Sequence, residues 1–296
     1  MNNNSAFAAI HPMVLLLYFI GEIVITMFSS DPVVLLCSFV GSVLLFAMLS
    51  SLKQFLSDLA FYLPMLVLIA VINPLFSHNG VTPLFFMNGN AVTLEAILYG
   101  FDISLMLISV VYWCKCFSIV MTTDKFLYLF GRAVPKLSLV LSMALRFIPL
   151  FRRKLKEFRA VQGAVGLYSQ KGFVNKIASE LKVFSALIGW ALENSADTAN
   201  SMKARGYGLK GRTHFSLFKF RVGDIIFLIF SAVFFVVTTA GIAVGLTDFY
   251  FYPRVAKLCF DSLKTAVYSA FFVLSVMPFV VQLREVVVWK YSVSKI

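Results

Sequence analysis

The sequence predicts an all-α integral membrane protein of about six spans with a cytoplasmic insert of long amphipathic helices. Three observations predict it. Apolar residues make up 60 % of the 296 positions and mean hydropathy is +0.87, above the roughly 45–50 % apolar content of soluble domains. These residues gather in continuous runs, not in the alternating segments of about ten residues that build a membrane β-barrel. One basic stretch with helical periodicity interrupts the runs.

Six runs are candidate spans: 13–28, 33–50, 59–72, 97–121, 225–246 and 263–283. A helix needs about 20 residues to cross a ~30 Å hydrocarbon core. The first and third runs are short, and Pro64 lies in the third, so a kink, a tilt or a partly interfacial position is expected there. The first eleven residues lack a positively charged segment and no small-residue cleavage site follows 13–28, so that run is expected to remain as an anchor. The expected organisation is 1–122 as N-terminal membrane helices, 123–222 as a cytoplasmic helical region and 223–296 as C-terminal membrane helices.

Charge orients the chain. Residues 151–221 carry fourteen Lys/Arg and four Asp/Glu, a net +10 out of +12 for the whole chain. Arg152, Arg153, Lys154, Lys219 and Arg221 lie near the ends of candidate spans, where a positive bias marks the cytoplasmic side. With four spans before the insert and two after it, both termini are expected in the cytoplasm as well. Anionic lipid is an expected contact of so basic a surface, whereas no recognisable nucleic-acid-binding motif accompanies the charge.

The sign of the charge follows from topology, but the helical pattern needs its own account. Ile177, Leu181, Phe184, Ile188, Leu192, Ala199 and Met202 recur at spacings of three, four or seven, one stripe along a helix of about thirty residues. Its most apolar part, 183–192, is too short to span. Phe151, Leu155, Phe158, Gln162 and Val165 form a second stripe, with Arg152, Lys156 and Arg159 on another face. Two long surface helices are expected, lying against the membrane or each other.

Both should end at glycine: Ala164-Val165-Gly166 closes the first and Ala204-Arg205-Gly206 the second. Glycine takes the left-handed cap without steric penalty, and an arginine in the last turn gains about 0.3–1 kcal/mol from the helix dipole.

At these residues the chain resembles the transmembrane, or T, component of energy-coupling factor (ECF) vitamin and metal importers. The resemblance runs through Asn73-Pro74-Leu75 with Gly80, Thr122-Thr123-Asp124-Lys125, Pro135-Lys136-Leu137, Ala144-Leu145-Arg146-Phe147-Ile148-Pro149-Leu150 and Ala204-Arg205-Gly206-Tyr207-Gly208. It implies coupling helices whose ends dock in grooves of two ABC-type ATPase subunits, while the membrane helices hold a small substrate-binding S component. On that likeness the docking residues are Ala204, Arg205 and Gly206 with Ala164, Val165 and Gly166. Arg146, Pro149, Arg159, Gln162, Lys203 and Tyr207 support them. One departure stands out: family members carry Ala-Arg-Gly at both ends, and here Val165 occupies the first arginine position. Valine lacks the five-donor fork of arginine, so this end implies either an apolar groove on one ATPase or contact through Arg159, Gln162 or Lys171.

Other residues with functional potential have plainer readings. Glu22, Asp102 and Lys115 fall in membrane runs, where charge marks a candidate site. Pairing of Glu22 with Lys115 is one arrangement; helix packing, or snorkelling of Lys115 to the interface, is the favoured one. Arg146 has a structural reading too, at the start of the coupling region, and Asn73-Pro74 can simply end the third span. Cys114 and Cys116 are two apart on a helix and suit neither a disulfide nor a metal face. With Cys37 and Cys259 they read as buried thiols. His11, His78 and His214 make no metal-ligand pair. No phosphate-binding loop occurs, so ATP hydrolysis is expected in partner subunits, and no cofactor is expected. The leading function is a non-enzymatic scaffold coupling ATPases to micronutrient uptake; the alternative is a stand-alone secondary transporter or channel.

Overall fold

His11, Asp31, Ser51 and Thr93 each place a side-chain acceptor at the start of a membrane helix, and the chain folds from those starts. The computed structural model describes residues 6–77, 79–87, 90–166, 172–209, 218–256 and 261–293. A short α1 (Ala6–Ala9) leads to α2 (Pro12–Phe28), where His11 Nδ1 accepts the Met13 N–H at 3.3 Å. Asp31 caps α3 (Pro32–Leu49) through Val33 N–H at 2.9 Å, with Pro32 at the first helical position. Ser51 caps α4 (Leu52–Phe76) and Thr93 caps α5 (Leu94–Val120). Between α4 and α5 lies an antiparallel hairpin of β1 (Pro83–Met87) and β2 (Asn90–Thr93). Then come α6 (Thr123–Ala133), α7 (Pro135–Ala164), α8 (Phe173–Ala204), α9 (Val222–Ala243) and α10 (Ser262–Val293).

Among the described residues five helices, α3, α4, α5, α9 and α10, are long and apolar enough to cross a membrane, and α2 is a shorter apolar helix of 17 residues. The molecule is an all-α multi-pass membrane protein. The third candidate span is not short: α4 runs for 25 residues with Pro64 and Pro74 inside it. Hydropathy understates it because the first turns carry Lys53, Gln54 and Asp58, and membrane helices tolerate proline when neighbouring groups satisfy the freed carbonyls.

The chain divides into two units. The first comprises Met1–Phe126 with Phe218–Ile296, the second Leu127–Leu217. In the first, helices approach closely at small residues. A Cβ on Gly41 would lie 2.7 Å from the Cβ and backbone oxygen of Ser275, so α3 and α10 meet backbone to side chain. A Cβ on Gly100 would lie 2.6 Å from the Ala70 carbonyl oxygen on α4. Beside it Asn73 donates from Nδ2 to the Ala96 carbonyl at 2.8 Å, so Asn73 ties α4 to α5 rather than merely ending a helix.

Trp113, Tyr112, Phe19, Phe46, Leu274 and Glu22 are fully buried in this unit. A polar network links four helices: Tyr18 Oη donates to the Leu274 carbonyl at 2.9 Å and lies 3.1 Å from Glu22 Oε1, and Ser275 donates to Glu22 Oε2 at 3.3 Å. Thr26 and Ser38 hydroxyls meet at 2.7 Å, and Trp113 Nε1 donates to Ser38 at 2.9 Å. Lys115 does not pair with Glu22. It faces α4, where Nζ lies 2.7 Å from Asp58 Oδ2 and 4.6 Å from the Tyr62 ring centroid, because its position on α5 places it on the face opposite α2. Asp102 is buried on α5, and among the described residues its Oδ1 has no hydrogen-bond partner. The thiols are not uniformly buried: Cys116 is, Cys37 is half-buried and Cys114 is exposed. His11 is buried and stacks on Phe220 at 3.7 Å. Cys259, His78 and His214 lie outside the described residues.

Lys125 is buried just beyond α5, and its Nζ donates to the carbonyls of Ala8 and Val120. Burial pushes its ammonium down to about 8.

The second unit is built on α7 and α8. Phe151 meets the Trp190 ring edge-on at 5.9 Å, and Arg159 grips Glu180 through Nη2 at 2.8 Å and Nε at 3.2 Å. Pro149 lies inside α7 and does not end it. The buried positions of α8 are Ser179 and Val183, not the apolar stripe. Ile177, Leu181, Phe184, Ile188 and Leu192 are between 45 and 66 % exposed.

Candidate functional site

The two long helices finish with the same backbone. Val165 caps α7 at φ −75°, ψ −3°, and Arg205 caps α8 at φ −82°, ψ 10°. The following glycines take left-handed φ values of +83° at Gly166 and +80° at Gly206. On α8 the Gly206 N–H donates to the Lys203 carbonyl at 2.9 Å and the Tyr207 N–H to the Met202 carbonyl at 3.0 Å. That pair of bonds is the Schellman pattern, which satisfies carbonyls that would otherwise be orphaned. On α7 the Gly166 N–H donates to the Gly163 carbonyl at 3.0 Å, the equivalent of the Gly206 bond. Ala164 and Ala204 are exposed and keep the approach to each cap open, and Val165 is 77 % exposed.

Arg205 does not stand alone. A cavity of about 610 Å³ opens between α7 and α8, lined by Arg146 on α7 and by Asp197, Arg205 and Tyr207 on or just beyond α8. Leu139, Met143 and Met202 give it an apolar part; Ser142, Asn194 and Ser201 add neutral polar groups. Helix geometry explains the set. Leu139, Met143 and Arg146 are spaced four and three apart, and Asn194, Asp197, Ser201 and Arg205 three, four and four apart, so each series follows one face. Among the described residues neither arginine forms an ion pair, and Asp197 forms none either. The groove therefore holds two guanidinium groups and one carboxylate, a net charge of +1, able to receive an anionic group beside an apolar one.

The other residues singled out from the sequence are placed elsewhere. Val165 and its neighbours do not line this cavity. Arg159 is occupied by Glu180, Gln162 is half-buried and Lys203 is exposed in the last turn of α8. Pro149 is interior to α7, one turn beyond Arg146. Lys171 lies outside the described residues. Asp197, five residues beyond the apolar 183–192 segment and not singled out from the sequence, is a groove residue. Its register with Ser201 and Arg205 was the available signal. Among the described residues no group of three His, Cys, Asp or Glu is arranged to hold a metal ion.

The family model described as CbiQ, cobalt transport protein, matches residues 4–217, which include α2 to α8 and every residue lining the groove. The chain belongs to the CbiQ family. This CbiQ-family chain is 36 % identical over 102 residues to the energy-coupling factor transporter transmembrane protein EcfT of Listeria innocua serovar 6a, covering 34 % of the chain and 38 % of that protein. It is 31 % identical over 106 residues to EcfT of Lactobacillus helveticus, 35 % of the chain and 38 % of that protein. It is also 28 % identical over 113 residues to EcfT 1 of Listeria monocytogenes serotype 1/2a, 38 % of the chain and 41 % of that protein. The chain thus matches about two-fifths of the length of these curated relatives.

Proposed function

We propose that this chain is the transmembrane T component of an ECF-type importer. It is a non-catalytic scaffold that couples ATP hydrolysis by two ABC-type ATPase subunits to uptake of a micronutrient, a vitamin or metal ion, through a separate S component. The observation that carries the reading is an exposed arginine on a Schellman-capped helix end within a CbiQ-family chain whose relatives are named as energy-coupling factor transmembrane proteins. The +10 charge of 151–221 supports a cytoplasmic position for that end and for both termini.

In this reading α8 offers Arg205 to a polar groove on one ATPase, and α7 offers Val165 to an apolar groove on the other. Nucleotide-driven closure of the ATPases displaces both helix ends, and helices of 30 and 32 residues are stiff enough to carry that displacement to the membrane unit. The membrane helices hold the S component, and lipid covers the remaining apolar surface.

The test is purification of the tagged chain from its own host in mild detergent, with mass spectrometry of what is retained, followed by reconstitution in liposomes. Two ABC-type ATPases and a small hydrophobic protein, with ATP-dependent uptake that needs all of them, support the proposal. Recovery of the chain alone, with transport by it alone, overturns it in favour of a stand-alone carrier.

A further inference from the structure

We infer that Arg146 is a second docking residue: with Arg205 it forms a two-arginine clamp that receives an acidic side chain of the ATPase seated on the end of α8. This inference rests on the function proposed above. Arg146 lies 59 positions before Arg205 in the sequence, yet both line the one cavity between α7 and α8. Among the described residues neither forms an ion pair, in contrast to Arg159, whose Nε and Nη2 both bind Glu180.

Three features of the groove select a carboxylate on a protein segment over a phosphate. At about 610 Å³ it is far larger than a single tetrahedral anion requires. Leu139, Met143 and Met202 offer apolar contact, which a peptide side chain can use and an inorganic anion cannot. Asp197 leaves the net charge at +1, which one carboxylate neutralises and a dianion overshoots. Arginine suits the task because its planar fork binds a carboxylate through two parallel hydrogen bonds, whereas lysine supplies only a point charge. The consequence for mechanism is that docking engages both helices at once. A pull on the ATPase then moves α7 and α8 as a pair, not the tip of α8 alone.

The experiment uses the full chain in nanodiscs and the ATPases purified with it, and measures their Kd for wild type, Arg146→Ala, Arg146→Lys, Arg205→Ala and the Arg146→Ala/Arg205→Ala double variant. Arg146→Ala is expected to weaken binding about tenfold or more, and Arg146→Lys by a smaller factor. The double variant is expected to lose less than the product of the single losses, because both arginines address one group. Asp197→Asn should bind at least as tightly as wild type. If Arg146→Ala disturbs folding, a photo-crosslinking residue at Ser142 gives an independent readout, expected to capture an ATPase. Binding within twofold of wild type for Arg146→Ala, with a large loss for Arg205→Ala, overturns the clamp and leaves the proposed function standing. Wild-type binding for both single variants removes the proposed function itself. A crosslink to lipid alone, or loss of retained anionic lipid from Arg146→Ala with unchanged ATPase affinity, also overturns the clamp.

Discussion

Gly206 is the position at which a single atom tests whether the docking end is a preformed surface. Its φ of +80° is open to glycine, whereas an L-residue in the left-handed region pays about 1–2 kcal/mol. Alanine also stiffens the unfolded chain, which returns about 0.4–1 kcal/mol. Space adds little, since a Cβ at 206 meets only Leu209 Cδ1 at 3.2 Å, the tip of a side chain that can swing away. The net cost of Gly206→Ala is therefore between zero and about 1.6 kcal/mol, and it falls on the capped state that presents Arg205. If docking requires that state, the apparent ATPase Kd rises in proportion to its lost population, by a factor of up to roughly ten. Asparagine tolerates the left-handed region better than alanine, and a β-branched residue tolerates it worst. The expected order of affinity is then glycine, asparagine, alanine, valine, measured by titrating purified ATPases onto the chain in nanodiscs. Equal affinity across the series would refute the idea that the Schellman cap positions Arg205, as would a valine variant that binds as well as glycine.

Four further outcomes are expected. Val165→Arg should weaken assembly with one ATPase while sparing the other, read by quantitative mass spectrometry of the purified complex; tighter assembly would reject an apolar groove for α7. Asp58→Ala should lower stability in detergent by about 1–3 kcal/mol, less than a fully buried pair because Lys115 and Asp58 remain 31 and 21 % exposed, and Asp58→Ala/Lys115→Ala should recover part of the loss. Gly41→Leu forces a side chain into the 2.7 Å approach between α3 and Ser275 and should lower the melting temperature through at least the 1–3 kcal/mol of ordinary overpacking. For Lys125 the folded value near 8 lies below its ordinary 10.5, so the folded state disfavours the charged form. The linked stability is fully present above about 10.5 and is lost as pH falls through 8. Denaturant unfolding should show stability rising between those values, and Lys125→Met should flatten that rise.

Much of the fold was legible because membrane helices announce themselves by uninterrupted apolar content. The C-terminal boundary of α8 was legible too, from its terminal glycine, whereas its start at Phe173 precedes the first residue of the stripe, Ile177. What was lost was lost for physical reasons. The length of α4 was hidden because its first turns carry Lys53, Gln54 and Asp58, polar residues at which a hydropathy reading stops, although Asp58 is paired with Lys115 of α5. The hairpin of β1 and β2 went unread beside long apolar runs, although Asn88-Gly89 between the strands is a strong turn signal. Glu22 drew attention as a charge seeking a countercharge, yet hydroxyls from Tyr18 and Ser275 meet it, and hydroxyl partners leave no pattern in a sequence. The apolar stripe of α8 was legible as a stripe, but periodicity does not say what covers it. Inside this chain Ser179 and Val183 are the buried positions of that helix.

The two helix ends show why local geometry and chemistry have to be read separately. Val165 and Arg205 occupy matching caps, each followed by a left-handed glycine, so the backbone presents both side chains in the same way. A scaffold that needed only helix termination would require the glycines and be indifferent to the capping residue. Arg205 lines a groove with a second arginine that forms no ion pair among the described residues, whereas Val165 lies outside it and the nearest long cation singled out on α7, Arg159, is bound to Glu180. Among the described residues the α7 end therefore has little charge to substitute for the arginine it lacks, and an exposed valine gains free energy only where a partner removes it from water. An apolar seat for one end and an acidic seat for the other cannot be supplied by two copies of one surface engaged in the same way. The proposed function thus leads to an ATPase pair whose two docking grooves differ in chemistry, with α7 and α8 each matched to its own.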